Sequence, residues 1–266
     1  MAKTFVIANR KGGVGKTTTA MAMAYIFETK GYKTLLIDAD QQGNSTDTYG
    51  AAAYNTTTLY DMLLDAGREN IPVSEAVQHT KYGDIIASDQ KLNEADTRLG
   101  TEVDGLYRMQ DLIDRIEGYD AVVIDTAPTF NSIMISSLIA ADEVIIPVTA
   151  DRYALQGLSM LNDVIRRIKK RQNPAVRVTG VLLTKYNGQL TISREVKEGL
   201  APVTQGLGTS LFETEIRECS KTRMAQAARI PLMQYAPKCT TAEDYIKFTD
   251  EVLSRTGMGR TEGSDV

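Results

Sequence analysis

The chain has 266 residues, 42% of them hydrophobic and 24% charged, with a formal net charge of −4. That length suits one large α/β domain or two small ones and buries roughly three quarters of the unfolded surface. Two cysteines, one histidine and no apolar run near the ~20 residues that span a bilayer weigh against a disulfide framework, a structural zinc site and a membrane protein.

The N-terminus enters an apolar run directly, without the charged segment and cleavage site of a secretory signal, so a cytoplasmic location is expected. In chain order the pattern predicts a strand over 4–9, a helix over 17–30, a strand over 33–38 and a helix over 58–65. It continues with a strand over 83–87, a helix over 106–117, a strand over 120–125, a helix over 131–140 and a strand over 143–149. A helix over 154–171, a strand over 176–184 and helices over 190–200 and 241–255 complete the series. The strand runs are rich in Val and Ile with little polar alternation, as in parallel sheets covered on both faces. The alternation predicts an α/β fold, a doubly wound and mostly parallel sheet flanked by helices. One domain is expected over 1–255, with a frayed polar tail from Thr256 to Val266.

After the first strand stands Lys11-Gly12-Gly13-Val14-Gly15-Lys16-Thr17-Thr18, a variant of the phosphate-binding loop in which Arg10 replaces the usual first glycine. Glycines let backbone N–H groups approach a phosphate, and the helix N-terminus adds positive dipole. Lys16 would reach the β- and γ-phosphates of ATP, and Thr17 would ligate Mg²⁺. The second strand leads into Asp38-Ala39-Asp40-Gln41-Gln42-Gly43-Asn44, and the strand Ala121–Ile124 ends in Asp125. Carboxylates at the carboxyl ends of parallel strands sit beside the phosphate crevice, and a strand-end Asp after such a loop fits a Mg²⁺ carboxylate.

The loop resembles the deviant Walker A motif of the ParA/MinD superfamily, also called the SIMIBI class. That resemblance makes Lys11 the signature lysine, which crosses a dimer interface to phosphates bound by the partner subunit and implies an ATP-sandwich homodimer. The Asp38–Asn44 segment resembles the superfamily's D-x-D-P-Q-G-N switch I, with Gln41 in place of proline. By that match Asp40 positions the attacking water and belongs to the metal site with Thr17 and Asp125, while Asp38 supports Mg²⁺ from behind. Asp125-Thr126-Ala127-Pro128 resembles switch II. Lys11, Lys16 and Asp40 are thus the expected catalytic residues of a slow ATP hydrolase.

Within the superfamily, Cys219 and Cys239 lie too late in the chain for the cluster cysteines of the nitrogenase iron protein and read as ordinary core or surface residues. The helix over 241–255 carries Glu243, Asp244, Asp250 and Glu251, unlike the basic membrane helix of MinD-type proteins. Asp38–Asn44 and Gly180–Thr184 are similar to ParA/Soj partition proteins. The loop begins at Lys11, which implies the smaller Soj-like type without an operator-binding extension. This resemblance implies partitioning of a chromosome, plasmid or mobile element, non-specific DNA binding in the ATP state and a ParB-like centromere-binding partner. The alternatives are positioning of another cargo and a metabolic or assembly ATPase.

The charge distribution bears on DNA. Residues 152–229 hold 14 Lys/Arg against 6 Asp/Glu, net +8, and the remainder holds 16 against 28, net −12. Solvated helix faces would give the same numbers. Arg217 matches one family DNA position, while Gln189 stands where a second arginine is expected. Lys185, Arg194, Lys197, Lys221 and Arg223 are the other candidates, and Arg229 could extend that patch. The dense run Arg166–Arg171 reads equally as the cationic end of a long helix.

Overall fold

Phe5 and Ile7 point to one side of a β-sheet and Val6 to the other, and all three are fully buried. The same two-sided burial holds for Val122 to Ile124, Val144 to Ile146 and Val181 to Leu183. Strands without a polar face must be covered on both sides, so the sheet forms the middle of three layers.

The computed structural model describes residues 1–65, 70–151, 153–206 and 208–259. The elements are β1 (Lys3–Ile7), α1 (Lys16–Thr29), β2 (Thr34–Ala39), α2 (Asn44–Tyr49), α3 (Leu59–Asp65), α4 (Val73–Ala76), β3 (Val77–Thr80) and β4 (Gly83–Ile86). There follow α5 (Leu92–Thr101), a 3-10 turn (Gly105–Tyr107), α6 (Arg108–Asp114), β5 (Ala121–Thr126), α7 (Ser132–Ile139), β6 (Glu143–Thr149) and α8 (Ala154–Arg171). The chain continues through β7 (Arg177–Tyr186), α9 (Thr191–Gly206), β8 (Ile216–Arg217), α10 (Ser220–Ala228), α11 (Leu232–Tyr235) and α12 (Thr240–Thr256).

The sheet order is β3-β4-β2-β5-β1-β6-β7-β8, parallel except where β3 runs antiparallel to β4. One face packs on α1, α11 and α12 through Met23, Phe27, Met233, Tyr245 and Phe248. The other packs on α3 and α5 to α9, with Leu63, Leu99, Leu112, Leu138, Leu161 and Leu200. β1 lies between β5 and β6, so the chain leaves β1 at the point where strand order reverses. A crevice opens at the carboxyl ends of the strands at such a point. Among the described residues no helix is long and apolar enough to cross a membrane.

The doubly wound architecture matches the sequence expectation, and the six expected strands are present, β6 with the expected bounds and the other five with shifted ends. β1 stops at Ile7, because the Asn9 side chain turns to donate to Pro147 O at 2.7 Å. The helix expected over 106–117 is shorter, preceded by the 3-10 turn, and α9 runs on to Gly206 with Pro202 inside it. The frayed tail expected from Thr256 is corrected at its start. Thr256 closes α12, Gly257 takes a left-handed φ of 69°, and the Tyr32 hydroxyl donates to Met258 O. Residues 260–266 of that expected tail, like Arg152 of the basic window, lie outside the described residues.

Gly180 in β7 lies directly under the buried ring of Phe212. A Cβ there would stand 2.5 Å from Phe212 Cε2 and 2.8 Å from Arg255 Nη1. Neither neighbour can retreat, because Phe212 packs edge-on against Phe248 at 4.8 Å and Arg255 donates to Thr179 O and Leu211 O at 3.0 and 2.7 Å. Gly180→Ala is expected to cost about 1–3 kcal/mol in urea unfolding. Gly157→Ala, within α8 and facing open space, is expected to gain about 0.5–1 kcal/mol in the same measurement.

Candidate functional site

β1 delivers the chain into a turn that requires left-handed backbone at two places. Gly13 has φ 72° and Gly15 φ 88°, conformations glycine adopts without strain. Gly15 caps α1 with no side chain, and the first helical bond is Thr19 N–H to Gly15 O at 2.8 Å. The amides of Lys16, Thr17 and Thr18 therefore have no partner within the helix. The turn is held from below: Val14 is buried, its carbonyl accepts from the Thr184 hydroxyl at 2.7 Å, and Lys11 N–H donates to Asn9 Oδ1 at 2.9 Å.

The two lysines differ. Lys16 is buried, and its ammonium donates to Lys11 O at 3.2 Å. Burial pulls its pKa below the ordinary value, while Asp125 and Asp40 pull the other way. Lys11 is half-buried and reaches sideways, donating to Thr149 Oγ1 at 3.2 Å and pairing with the Asp151 carboxylate. Burial pushes the Asp151 carboxyl up, but hydrogen bonds from Lys11 and Thr149 outweigh it and hold the group below the ordinary range.

Asp38 and Asp125 lie in register on adjacent strands, both fully buried. Asp38 Oδ2 accepts from the Thr46 amide and hydroxyl, each at 2.8 Å, and Oδ1 accepts from Asp40 N–H at 3.2 Å. Asp125 Oδ2 accepts from Ser45 at 2.9 Å, whereas its Oδ1 is buried with no partner among the described residues. Burial raises both carboxyls above the ordinary range, with the Asp38 charge the next contributor at Asp125. The Thr17 hydroxyl lies beside Asp125 and lowers it again. Asp40 is held at the crevice by Gln42 N–H on its carboxylate at 3.0 Å and by the Ser88 hydroxyl on its carbonyl at 2.6 Å.

A cleft of about 530 Å³ opens over this assembly, within the range of small-molecule sites. Gly12, Gly13, Gly15, Lys16, Thr17, Thr18 and Asp40 line it. Of the other expected site residues, Val14 supports the loop from inside, Lys11 stands to one side and Asp125 lies beneath. Among the described residues no three His, Cys, Asp or Glu side chains are grouped to hold a metal alone. The orphaned Asp125 oxygen and the Thr17 hydroxyl fit a hard cation such as Mg²⁺, whose remaining ligands would be phosphate and water oxygens.

The cationic candidates scatter. Lys185, Arg217 and Arg223 line the rim of the same cleft. Arg217 forks onto Asp244 at 2.7 and 2.9 Å, and Lys197 pairs with Glu215. Arg194 on α9 and Lys221 on α10 are exposed. Ser45, Thr46, Ser88, Asp151 and Thr184 are site residues the sequence reading missed. Their roles depend on strand register, and only Ser45 and Thr46, directly after the switch-like segment, had a local signal.

A family model described as an AAA domain matches residues 2–178. The chromosome partitioning protein ParA of Caulobacter vibrioides is 33% identical over 259 residues, covering 95% of this chain and 94% of that protein. The chromosome-partitioning ATPase Soj of Treponema pallidum is 32% identical, covering 97% and 100%. The solved structure of apo McdA from Cyanothece superposes with a TM-score of 0.84 at 25% identity, covering 95% of this chain and 100% of that one.

The buried carboxyl of Asp125 makes pH a probe of the site. Its pKa rises from 3.8 in the unfolded chain to about 8, so the native state holds the proton more tightly and stability is lost as pH rises through that window. Asp125→Asn removes this loss. In metal-free buffer the stability of the variant relative to wild type is expected to increase by up to about 1.4 kcal/mol per pH unit between the two values. Urea titrations at stepped pH check this, and parallel curves would count against it.

Proposed function

The chain belongs to the ParA/MinD family of ATPases, on its ParA/Soj partition branch, and from that premise we propose that it is an ATP-driven dimerising switch for DNA partitioning. Residues 1–255 act as one ATPase domain, binding non-specific DNA in the ATP state. The observation that carries this reading is the phosphate loop with its free helix-start amides, buried Lys16 and Asp40 around one cleft.

The loop amides and Lys16 hold the β- and γ-phosphates, which relieves the cost of burying an ammonium. Thr17 and Asp125, with Asp40 in attendance, would hold Mg²⁺, which would supply neutralisation of the phosphate charge. Asp40 orients the attacking water, its carboxylate fixed by Gln42 N–H. In a loose transition state such positioning and charge stabilisation are the main contribution a protein makes. Slow hydrolysis, accelerated by a ParB-like centromere-binding partner, releases the DNA.

Lys11 completes the site across the dimer. A half-exposed ion pair such as Lys11–Asp151 is worth about 0–1 kcal/mol. A partner's triphosphate carries several negative charges where Asp151 carries one, and a closed dimer interface screens them less than solvent does. A phosphate on a partner subunit therefore outcompetes Asp151, and Lys11 leaves its own chain only when ATP is there to receive it. The protein works in the cytoplasm on the nucleoid, and contacts DNA phosphates through exposed cations near the cleft, among them Lys185, Arg194, Lys221 and Arg223. Arg217 and Lys197 contribute less while their charge is matched by Asp244 and Glu215.

Light scattering tests the switch. Asp40→Ala with ATP is expected to run as a dimer and with ADP as a monomer. Lys16→Ala loses nucleotide binding, Lys11→Ala binds ATP as a monomer, and Asp151→Asn dimerises at lower ATP. Equal mass of Asp40→Ala in ADP and ATP would sink the proposal.

DNA retention on the same samples is expected only with ATP, its log affinity falling by about 0.9 per phosphate contact for each tenfold rise in salt. Lys221→Ala and Arg223→Ala flatten that slope. Arg217→Ala is a poor probe because it strands the buried Asp244 carboxylate.

A further inference from the structure

The chain has two cysteines, and the fold puts them together. Cys219 stands at the N-cap of α10 and Cys239 at the N-cap of α12. The Thr241 hydroxyl donates to Arg217 O at 2.7 Å, and Asp244 accepts both the Arg217 amide at 3.0 Å and its guanidinium. These bonds strap the start of one helix to the start of the other. The Cys239 sulfur faces the Cys219 thiol and the amides of Ala242 and Thr241 at the head of α12. Both residues are half-buried, and Cys219 lines the cleft while Cys239 does not.

Both helices touch the phosphate loop's own helix. Gln226 of α10 donates to the Thr18 hydroxyl at 3.4 Å, and Tyr245 of α12 hydrogen-bonds Thr19 at 3.0 Å. Thr222, Arg223 and Gln226 present α10 to the cleft. A bond between the two cysteines would fix this wall of the nucleotide site at its base.

We propose that Cys219 and Cys239 form a reversible disulfide that clamps α10 to α12 and slows exchange of the nucleotide. The first part stands on the cysteine geometry alone; the second rests on the nucleotide site proposed above. The oxidant is a peroxide. The Cys219 thiolate, reachable from the cleft, attacks a peroxide oxygen, giving a sulfenic acid and one water. The Cys239 thiolate then attacks the Cys219 sulfur, the S–S bond forms, and the hydroxyl leaves with a proton as a second water. Two thiols and one hydrogen peroxide thus become one disulfide and two waters. Burial pushes the Cys239 thiol up, as suits the slower, resolving partner, while helix-start amides favour its thiolate at the moment of attack. A dithiol reductant reverses the reaction by exchange.

The test uses the full chain with hydrogen peroxide. Peroxide followed by denaturation and alkylation is expected to leave the wild type with no free thiol and a mass lower by two hydrogens. Cys219→Ser and Cys239→Ser each form no internal bond. Release of a fluorescent ADP analogue from oxidised wild type is expected to be several-fold slower than from reduced, and to recover with dithiothreitol. Cys239→Ser, whose side chain is off the cleft, shows no such slowing. Two thiols persisting in the wild type, or oxidation stopping at sulfenic acid, overturns the disulfide. A disulfide with unchanged release overturns the clamp. Failure of the reduced protein to bind the analogue tells against the nucleotide site and leaves the thiol result standing on its own.

Discussion

Burying two carboxylates side by side is the constraint around which the rest of this structure is organised. Asp38 and Asp125 face one another across neighbouring strands inside the sheet, where burial raises both and the Asp38 charge raises Asp125 further. The protein offsets this with short, specific donors: Thr46 twice on Asp38, Ser45 once on Asp125. Those donors come from α2, so the helix following the switch-like segment is positioned by the acids it serves. One oxygen of Asp125 is left over, and Lys16 sits nearby with a destabilised ammonium. Without ligand the site is electrostatically incomplete, and a triphosphate with its cation supplies what it lacks.

The parts legible in sequence were those with a short-range signature. Strand runs such as Ala121–Ile124 and the glycines of the phosphate loop announce themselves over a few residues, and all six expected strands lie in the sheet. Elements without such a signature were missed for physical reasons. β3 has no fully buried residue, β8 has two residues in all, and α10 buries only Ala225, so none carries a periodic apolar stripe. α2 begins in a polar turn and is held by Asp38 through hydrogen bonds that no periodicity encodes. Asp151 was one more acid after a strand until register set it against Lys11. Cys219 and Cys239 read as unremarkable singletons because their proximity is created by the Arg217–Asp244 strap, an interaction between distant parts of the chain.

That strap also changes how the basic surface is understood. A count of cations over 152–229 treats each as available, whereas Arg217 and Lys197 are already satisfied by carboxylates. Charge matters for a polyanion only in so far as it is uncompensated locally. The uncompensated set is smaller than the count, and Lys185 and Arg223 on the rim of the cleft belong to it.

The borders of the sheet carry a separate consequence. At one end β8 offers two residues, and at the other β3 is a four-residue strand turned antiparallel to its neighbour. Neither margin is a long template on which a stranger's backbone could extend the ladder. A long exposed strand edge on a concentrated protein carries a standing hazard of irreversible fibrous growth. Here the blunted margins close that route, however crowded the protein becomes.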